Sequence, residues 1–200
     1  MEIFLVYSFI FVLGLVMGSF LNCFAFRVYK EESMWGRSFC PKCFHKIRWY
    51  DNLPVLSWLI LKGKCRDCKK AISFQYPVVE LVTGVLFALS YLVVLHTPPL
   101  SGHPSTPGHL LLPFGNSPCQ EGILTLLFYF FVISTLIVIF IIDFKLYLIL
   151  DKVTIPAMVV VFIFNLGLGA DWKNLLISGI IGGSFFLFQY LISKGKWLGG

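Results

Sequence analysis

The sequence predicts an all-α polytopic membrane protein with about five transmembrane helices and a small cytosolic four-cysteine zinc ribbon inserted between the first two. Three observations lead to this class: the composition, a series of long apolar runs, and two cysteine pairs in one basic segment. Of the 200 residues, 58% are hydrophobic and only 13% are charged, whereas a soluble domain is nearer half apolar and a quarter charged. The length permits several spans of about 20 residues, but no large soluble domain as well.

Long apolar runs define the predicted spans. Residues 1–26 form the first, which we interpret as an anchor because it has no basic start and no small-residue cleavage site. Its Gly14 and Gly18 make a G-x-x-x-G pair, which permits close contact with another helix. Residues 77–96 form the second span. Three further spans are predicted within the segment 122–200, at residues 122–142, 153–168 and 175–192.

The distribution of positive charge predicts the orientation. Residues 27–76 are rich in Lys and Arg, and the positive-inside rule places such a segment in the cytosol. The Pro-rich loop 97–121 has no Lys or Arg and is predicted to be an external, irregular connector. Alternation across five spans leaves Lys173 on the external side and brings four further lysines to the cytosolic side: Lys145, Lys152, Lys194 and Lys196. The sequence therefore predicts a multi-pass membrane protein with residues 27–76 on the cytosolic side.

Two C-x-x-C pairs make residues 27–76, here called the insert, the predicted metal-binding domain. Each pair puts two sulfurs on one turn, and two such turns complete a tetrahedral thiolate site for Zn²⁺. The predicted ligands are Cys40, Cys43, Cys65 and Cys68. Two disulfides or a redox pair are the alternatives, but a reducing cytosol and a domain too small to fold without a staple favour the metal. Cys23 and Cys119 do not fit the cluster.

Within the insert, residues 53–61 are apolar but about half as long as a membrane span. Pro54 and Trp58 suggest a hairpin, either packed on the ribbon or lying at the membrane interface. The positive charge of the insert could attract anionic lipid headgroups or nucleic acid. Since membrane topology and lipid attraction account for this charge, we expect membrane lipids as partners and no nucleic acid.

Three carboxylates are candidates for chemistry or for polar contacts. Asp143 follows an apolar run at the cytosolic end of the third span, where a carboxylate is costly unless it faces protein or water. It is either functional or an ordinary boundary residue paired with Lys145. Asp151 is as well explained as a helix N-cap, and Glu80 as a contact with Asn22 or a basic residue of the insert. An aspartyl protease needs two carboxylates, one ionised and one protonated, so Asp143 would need a partner from another span.

Several short motifs follow one another from residue 18 to residue 151. Besides the cysteine pairs they are Gly18-Ser19-Phe20-Leu21-Asn22, Arg27, Asn52-x-Pro54, Ser57-Trp58, Gly63, Tyr76-Pro77-x-x-Glu80, Ile142-Asp143 and Asp151. In this set and this order, the sequence resembles the bacterial prepilin peptidases, the type IV prepilin leader peptidase/N-methyltransferase family of membrane aspartyl proteases.

The resemblance implies cleavage of leader peptides from type IV prepilins or pseudopilins at the cytosolic face of the bacterial cytoplasmic (inner) membrane. In many members the same protein then methylates the new N-terminus with S-adenosylmethionine. Asp143 matches the first catalytic aspartate of the family, and the insert matches its zinc-binding cytosolic domain. Residues 122–200 would be the N-terminal part of the peptidase membrane domain.

The sequence also departs from the family pattern. Leu150 precedes Asp151 where the family usually has proline, and Gln75 stands where arginine commonly precedes Tyr76. The family's second aspartate, in a Gly-x-Gly-Asp motif after the fifth span, has no counterpart in these 200 residues. We therefore expect a truncated form that lacks peptidase activity on its own. The alternative function is a non-catalytic zinc-ribbon membrane adaptor for pilus or secretion assembly.

Overall fold

The computed structural model describes residues 2–33, 35–96, 118–146, 151–167 and 171–193. Within these ranges the chain is mostly helical and has no β-strand, which confirms the predicted fold class. A short 3-10 helix, Trp49–Asn52, lies in the insert. The α-helices are α1 (Glu2–Lys30), α2 (Leu56–Ile60), α3 (Gln75–His96), α4 (Pro118–Leu146), α5 (Asp151–Gly167) and α6 (Trp172–Ser193). Of the predicted external loop, residues 97–117 lie outside the described residues.

Three of the described helices are long and apolar enough to cross a membrane: Glu2–Val28, Gln75–His96 and Gly122–Phe144. These helices have mean hydropathies of 2.4, 2.3 and 2.8, and they correspond to the first three predicted spans. Val153–Leu166, in α5, is a shorter apolar helix. Helix α6 covers the predicted fifth span. That α5 and α6 also cross the membrane stays a prediction.

Glycines bring α1 and α3 into direct backbone contact. A Cβ atom added at Gly14 would lie 2.7 Å from Gly84 Cα, and one added at Gly18 would lie 2.7 Å from Glu80 Cα. Both distances are shorter than real Cβ contacts. The two helices could therefore not approach each other this closely if a larger residue replaced either glycine. The G-x-x-x-G pair of α1 is therefore the surface on which α3 packs.

Helix α3 is the central element of this first unit. Thr83 and Phe87 are its fully buried side chains, and the Thr83 hydroxyl donates to the carbonyl of Val79 at 2.7 Å. The Phe87 ring also stacks on Phe130 of α4 with centroids 4.1 Å apart. The hydroxyls of Thr83 and Ser90 are thus satisfied by carbonyls of α3 itself, as a low-dielectric environment requires.

The chain divides into two compact units, Met1–Ile141 and Ile142–Gly200, which we describe separately. The first contains α1 to α3, the insert and most of α4. The second contains the end of α4 with α5 and α6, and large apolar side chains are exposed along both of these helices, including Met158, Ile163, Ile180 and Ile181. Such exposure is typical of helices that face lipid.

Candidate metal centre and candidate carboxylate

The first cysteine pair forms a tight hairpin turn. Cys40 N donates to His45 O at 3.0 Å, and Phe44 N donates back to Cys40 O at 2.8 Å. Phe44 has a positive φ of 58°, which turns the chain directly after Cys43. An isolated antiparallel bridge between Phe39 and Lys46 closes the base of the turn.

The second cysteine pair repeats the same geometry. Cys65 N donates to Lys70 O at 2.9 Å, and Lys69 N donates to Cys65 O at 3.0 Å. Lys69, like its counterpart after the first pair, has a positive φ, here of 57°. The bridge between Lys64 and Ala71 closes this turn. Two equivalent turns therefore present their sulfurs in equivalent positions.

The four sulfurs form one cluster, as the spacing predicted. The Sγ atoms of Cys40, Cys43, Cys65 and Cys68 all lie within 4.8 Å of one another. The separation between Cys40 Sγ and Cys68 Sγ is 4.0 Å. Tetrahedral zinc with Zn–S bonds of about 2.3 Å needs sulfurs about 3.8 Å apart. The donor set, its number and its spacing fit a tetrahedral metal ion, and none of these cysteines is in a disulfide.

The thiols of the cluster differ in acidity. Burial raises the pKa of Cys40, but hydrogen bonds with the backbone of Lys42 and Cys43 outweigh it and bring that pKa to about 7. A backbone hydrogen bond at His45 lowers the pKa of Cys43, but burial and the neighbouring sulfurs of Cys40 and Cys68 raise it to about 11. Ionisation of one sulfur thus makes ionisation of the next less favourable. A bound cation would instead stabilise the ionised form of every sulfur that it contacts.

An ion pair joins the second turn to the preceding 3-10 helix. The guanidinium of Arg66 donates to Asp51 through Nη2 at 2.6 Å and through Nε at 2.8 Å. These hydrogen bonds hold the pKa of Asp51 below its ordinary value. The Arg66 guanidinium also lies 5.4 Å from the centroid of the Tyr50 ring. The pair is bidentate, a geometry that fixes orientation as well as charge.

The insert is attached to the membrane helices at several points. Arg27, in the last turn of α1, is buried and donates from Nη2 to the carbonyl of Gly36 at 2.9 Å. The Phe39 ring, next to the first ligand, lies 6.5 Å from the Phe26 ring of α1 in an edge-on arrangement. Arg27 therefore binds the start of the insert in addition to marking the predicted end of the first span.

Two buried polar residues complete the junction. Asn22 of α1 donates to the carbonyl of Tyr76 at the start of α3, at 3.3 Å. Glu80, on the second turn of α3, accepts a hydrogen bond from the backbone N–H of Val55 at 2.7 Å. A side-chain hydrogen bond also joins Glu80 to Ser19. Glu80 thus accepts a hydrogen bond from the insert backbone. Its partners are Val55 and Ser19 rather than Asn22, the contact that the sequence had suggested.

Asp143 lies near the end of α4, within the second unit, and its side chain is exposed. The carboxylate therefore reaches the surface where the apolar part of α4 ends at Phe144. The side chains of Lys145 and Asp151 lie outside the described residues, so the predicted pairing of Asp143 with Lys145 is untested. Asp151 is the first residue of α5.

The sequence did not predict the Arg66–Asp51 ion pair or the Val55–Glu80 hydrogen bond. Each joins residues separated by 15 or 25 positions in the chain. Val55 also has a positive φ of 60°, which is unusual for a β-branched residue and gives no signal in the sequence. The motif residues that the resemblance singled out, including Asn22, Arg27 and Glu80, do mark the places where the insert meets the membrane helices.

Comparison with known proteins gives consistent matches. Residues 12–94 match the model of the bacterial peptidase A24 N-terminal domain. The prepilin leader peptidase/N-methyltransferase of Klebsiella pneumoniae is 32% identical over 219 aligned positions, covering 96% of this chain and 85% of that relative. The protein of the same description from Myxococcus xanthus is 54% identical over 80 residues, 40% of this chain and 24% of the relative. No solved structure matches the chain.

A third relative is the type 4 prepilin-like proteins leader peptide-processing enzyme of Escherichia coli. It is 43% identical over 99 residues, which cover 40% of this chain and 37% of the relative. The matched stretches thus span well under half of the Myxococcus and Escherichia proteins. The activity, substrates and partners of a whole enzyme are therefore proposals for this chain.

Fold and site together define a helical membrane protein with a four-cysteine metal-binding insert between its first two membrane helices. The chain belongs to the prepilin leader peptidase/N-methyltransferase family, because the Klebsiella relative aligns with it almost from end to end. This confirms the family predicted from the motifs.

Proposed function

We propose that these residues form part of a prepilin peptidase that cleaves leader peptides from type IV prepilins or pseudopilins at the cytosolic face of the bacterial inner membrane. The observation that carries this proposal is the family match along 96% of the chain, together with a clustered set of all four predicted metal ligands. The relatives are themselves named as leader peptidases and N-methyltransferases.

In this proposal the metal is Zn²⁺ and its role is structural. Four thiolates fill a tetrahedral zinc site and leave no position open for water or substrate. When bound, the ion supplies the cross-link that holds the two turns together. Among its described residues the insert has few buried apolar side chains, Cys40 being one at 8% exposed, so such a cross-link replaces the core that a larger domain would have.

Asp143 is proposed as one of two catalytic aspartates. An ionised carboxylate activates water while a protonated one donates to the scissile carbonyl oxygen. An exposed carboxylate at the end of an apolar helix suits a substrate whose scissile bond lies just outside its own apolar segment. The resemblance assigns one such residue within these 200 residues, so we propose that cleavage requires a second carboxylate that they do not supply.

N-methylation of the new N-terminus is proposed as the second activity, with S-adenosylmethionine as methyl donor. Its support is that the relatives from Myxococcus xanthus and Klebsiella pneumoniae are named N-methyltransferases as well as leader peptidases. No residue of this chain is assigned to the donor. The proposed partners are therefore prepilins or pseudopilins, the methyl donor and membrane lipids.

The decisive experiment for the peptidase proposal expresses the full coding sequence of the gene in a host strain without its own prepilin peptidase. Asp143→Asn should abolish leader cleavage, seen as a shift in prepilin size, while metal content stays unchanged. The matched control is Asp171→Asn, since Asp171 is an exposed aspartate at the start of α6. Wild-type cleavage by Asp143→Asn would overturn the role of this residue.

A non-catalytic zinc-ribbon adaptor is the second candidate function. The observation that favours it is the match to only one of the family's two aspartates. An adaptor of the 200 residues would bind prepilin in nanodiscs and leave it uncleaved. Turnover by this 200-residue chain that Asp143→Asn abolishes would reject both the adaptor and the requirement for a second carboxylate.

A further inference from the structure

Helix α2 exposes a face that is almost entirely apolar. Leu56, Leu59 and Ile60 are 58%, 58% and 71% exposed, although they belong to one short helix. Leu53, just before the helix, is also exposed. The opposite side of α2 is covered, because the Trp58 ring packs on the backbone of Gly63, where an added Cβ would lie 2.9 Å from it.

Two contacts fix α2 beside the first turns of α3. The N–H of Val55, immediately before α2, is hydrogen-bonded to Glu80. The Trp58 ring lies 5.5 Å from the ring of Phe74, the residue that precedes α3. The six residue-to-residue steps from Phe74 to Glu80 rise about 9 Å along a helix. Helix α2 therefore lies at the level of this first segment of α3.

That level is where the membrane begins. The apolar span that contains Glu80 starts at Gln75, so a backbone group bonded to Glu80 lies at the depth of the second turn of a membrane helix. Val78 and Leu81, on the same part of α3, are exposed apolar residues as well. The exposed leucines and isoleucine of α2 are thus held next to a lipid-facing surface.

Charge complements this placement. Lys62 and Lys64 follow α2 directly, and both are exposed. The described residues 50–62 contain a single acidic residue, Asp51, and Arg66 already pairs with it. An apolar face followed by lysines suits the boundary between acyl chains and anionic headgroups, since lysine reaches back to the headgroups from the edge of the apolar region.

We propose that residues 53–61 dip into the cytosolic leaflet of the bilayer, with Leu56, Leu59 and Ile60 among the acyl chains. These residues attach the metal-binding turns to the membrane surface. They are a third point of attachment, besides the two helices that flank the insert. The partner of the apolar face of α2 is therefore the lipid of an anionic bilayer. The proposal goes beyond prepilin cleavage and shares with it the premises that α3 crosses the membrane and that the insert faces the cytosol.

Site-specific photo-crosslinking in nanodiscs tests this placement. The full chain, loaded with zinc, carries p-benzoylphenylalanine at residue 60 and is reconstituted in phosphatidylethanolamine and phosphatidylglycerol. The matched control carries the same group at residue 44, because Phe44 is 75% exposed, close to the 71% of Ile60, but belongs to the first cysteine turn. Intact-mass spectrometry measures the fraction of chain with an attached lipid.

We expect a several-fold higher yield of lipid adducts at residue 60 than at residue 44. Background yield at residue 60, equal yields at both positions, or cross-links to a second copy of the chain would each overturn the proposal. The same group at residue 56 repeats the test if the first variant does not retain zinc. Prepilin cleavage is measured separately, so that failure of the membrane insertion of residues 53–61 and failure of the peptidase proposal are distinguishable.

A variant of Glu80 tests the cause of the placement. Glu80→Ala removes the acceptor that holds Val55, and we expect the adduct yield at residue 60 to fall several-fold while zinc content is retained. Glu80→Gln keeps an acceptor oxygen and should leave the yield near that of wild type. An unchanged yield in Glu80→Ala would contradict the assignment of Glu80 as the residue that sets the depth of α2.

Discussion

At the scale of single residues, the metal centre depends on two turns with matching backbone bonds. In each turn the first cysteine exchanges backbone hydrogen bonds with the residues that follow the second cysteine. Phe44 and Lys69 take the same left-handed conformation at equivalent places, although neither is glycine. The backbone hydrogen bonds of each turn offset part of the strain of this conformation, and a metal ion held by all four sulfurs would stabilise both turns further.

Loss of one ligand should therefore release the metal. We expect Cys68→Ser to reduce bound zinc to well under half of the wild-type stoichiometry, measured by elemental analysis of the protein in nanodiscs. Cys23→Ser is the matched control, because Cys23 lies on α1 outside the cluster. Full zinc occupancy in Cys68→Ser would contradict the four-thiolate assignment.

The Arg66–Asp51 pair should stabilise the insert over a wide pH range. Because the pKa of Asp51 is lowered in the folded protein, its contribution is fully present above the ordinary aspartate value of about 4 and is lost as pH falls through the lowered pKa. We expect Asp51→Asn to release zinc to a chelator faster than wild type, by the same factor at every pH from about 6 to 8. A factor that changes across this range would show that Asp51 titrates there.

At the scale of secondary-structure elements, the α1–α3 pair is the frame to which the insert is attached. The contact depends on Gly14 and Gly84 because their backbones touch, and Arg27, Asn22 and Glu80 then fix the insert at one end of the pair. An inserted methyl group must push the helices apart, since the nearest neighbours of Gly14 include the Cα of Gly84 and the carbonyl oxygen of Thr83, backbone atoms that cannot rotate away.

Gly14→Ala should accordingly destabilise the helix pair by about 1–3 kcal/mol, the usual cost of overpacking a tight contact. Thermal unfolding in a mild detergent, followed by circular dichroism, measures the change. Gly179→Ala in α6 is the matched control, because a Cβ added there would meet no atom within 4 Å. Equal stability of the two variants would contradict the close contact as the source of the pairing.

Much of the architecture could be predicted from the sequence because it depends on local patterns. Apolar runs predicted helices at the places where they occur, and the C-x-x-C spacing predicted the cluster, since ligand spacing follows directly from turn geometry. The resemblance predicted the family, which the relatives confirm, whereas the catalytic role that it assigns to Asp143 stays a prediction. The positive φ of Val55 and the pairing of Arg66 with Asp51 could not be predicted, because both depend on how distant segments meet.

At the scale of the whole molecule, the peptidase proposal requires one orientation of the chain in the membrane. In that proposal the insert and the Asp143 end of α4 both face the cytosol, the side on which the leader peptide is cleaved. The charges of the chain favour this arrangement, because the cytosolic side receives the insert together with Lys145, and the external side receives Lys173. Zinc binding by free thiols also suits a reducing compartment.

Lysine labelling of the native chain in oriented vesicles measures this sidedness most directly. A membrane-impermeant, amine-reactive sulfonated ester is added to right-side-out and to inside-out vesicles, and peptide mass spectrometry quantifies the labelled lysines. We predict that Lys173 is labelled in right-side-out vesicles only, whereas Lys42 and Lys145 are labelled in inside-out vesicles only. Labelling of Lys42 or Lys145 from the outside of right-side-out vesicles would contradict the orientation and, with it, the proposed cleavage at the cytosolic face.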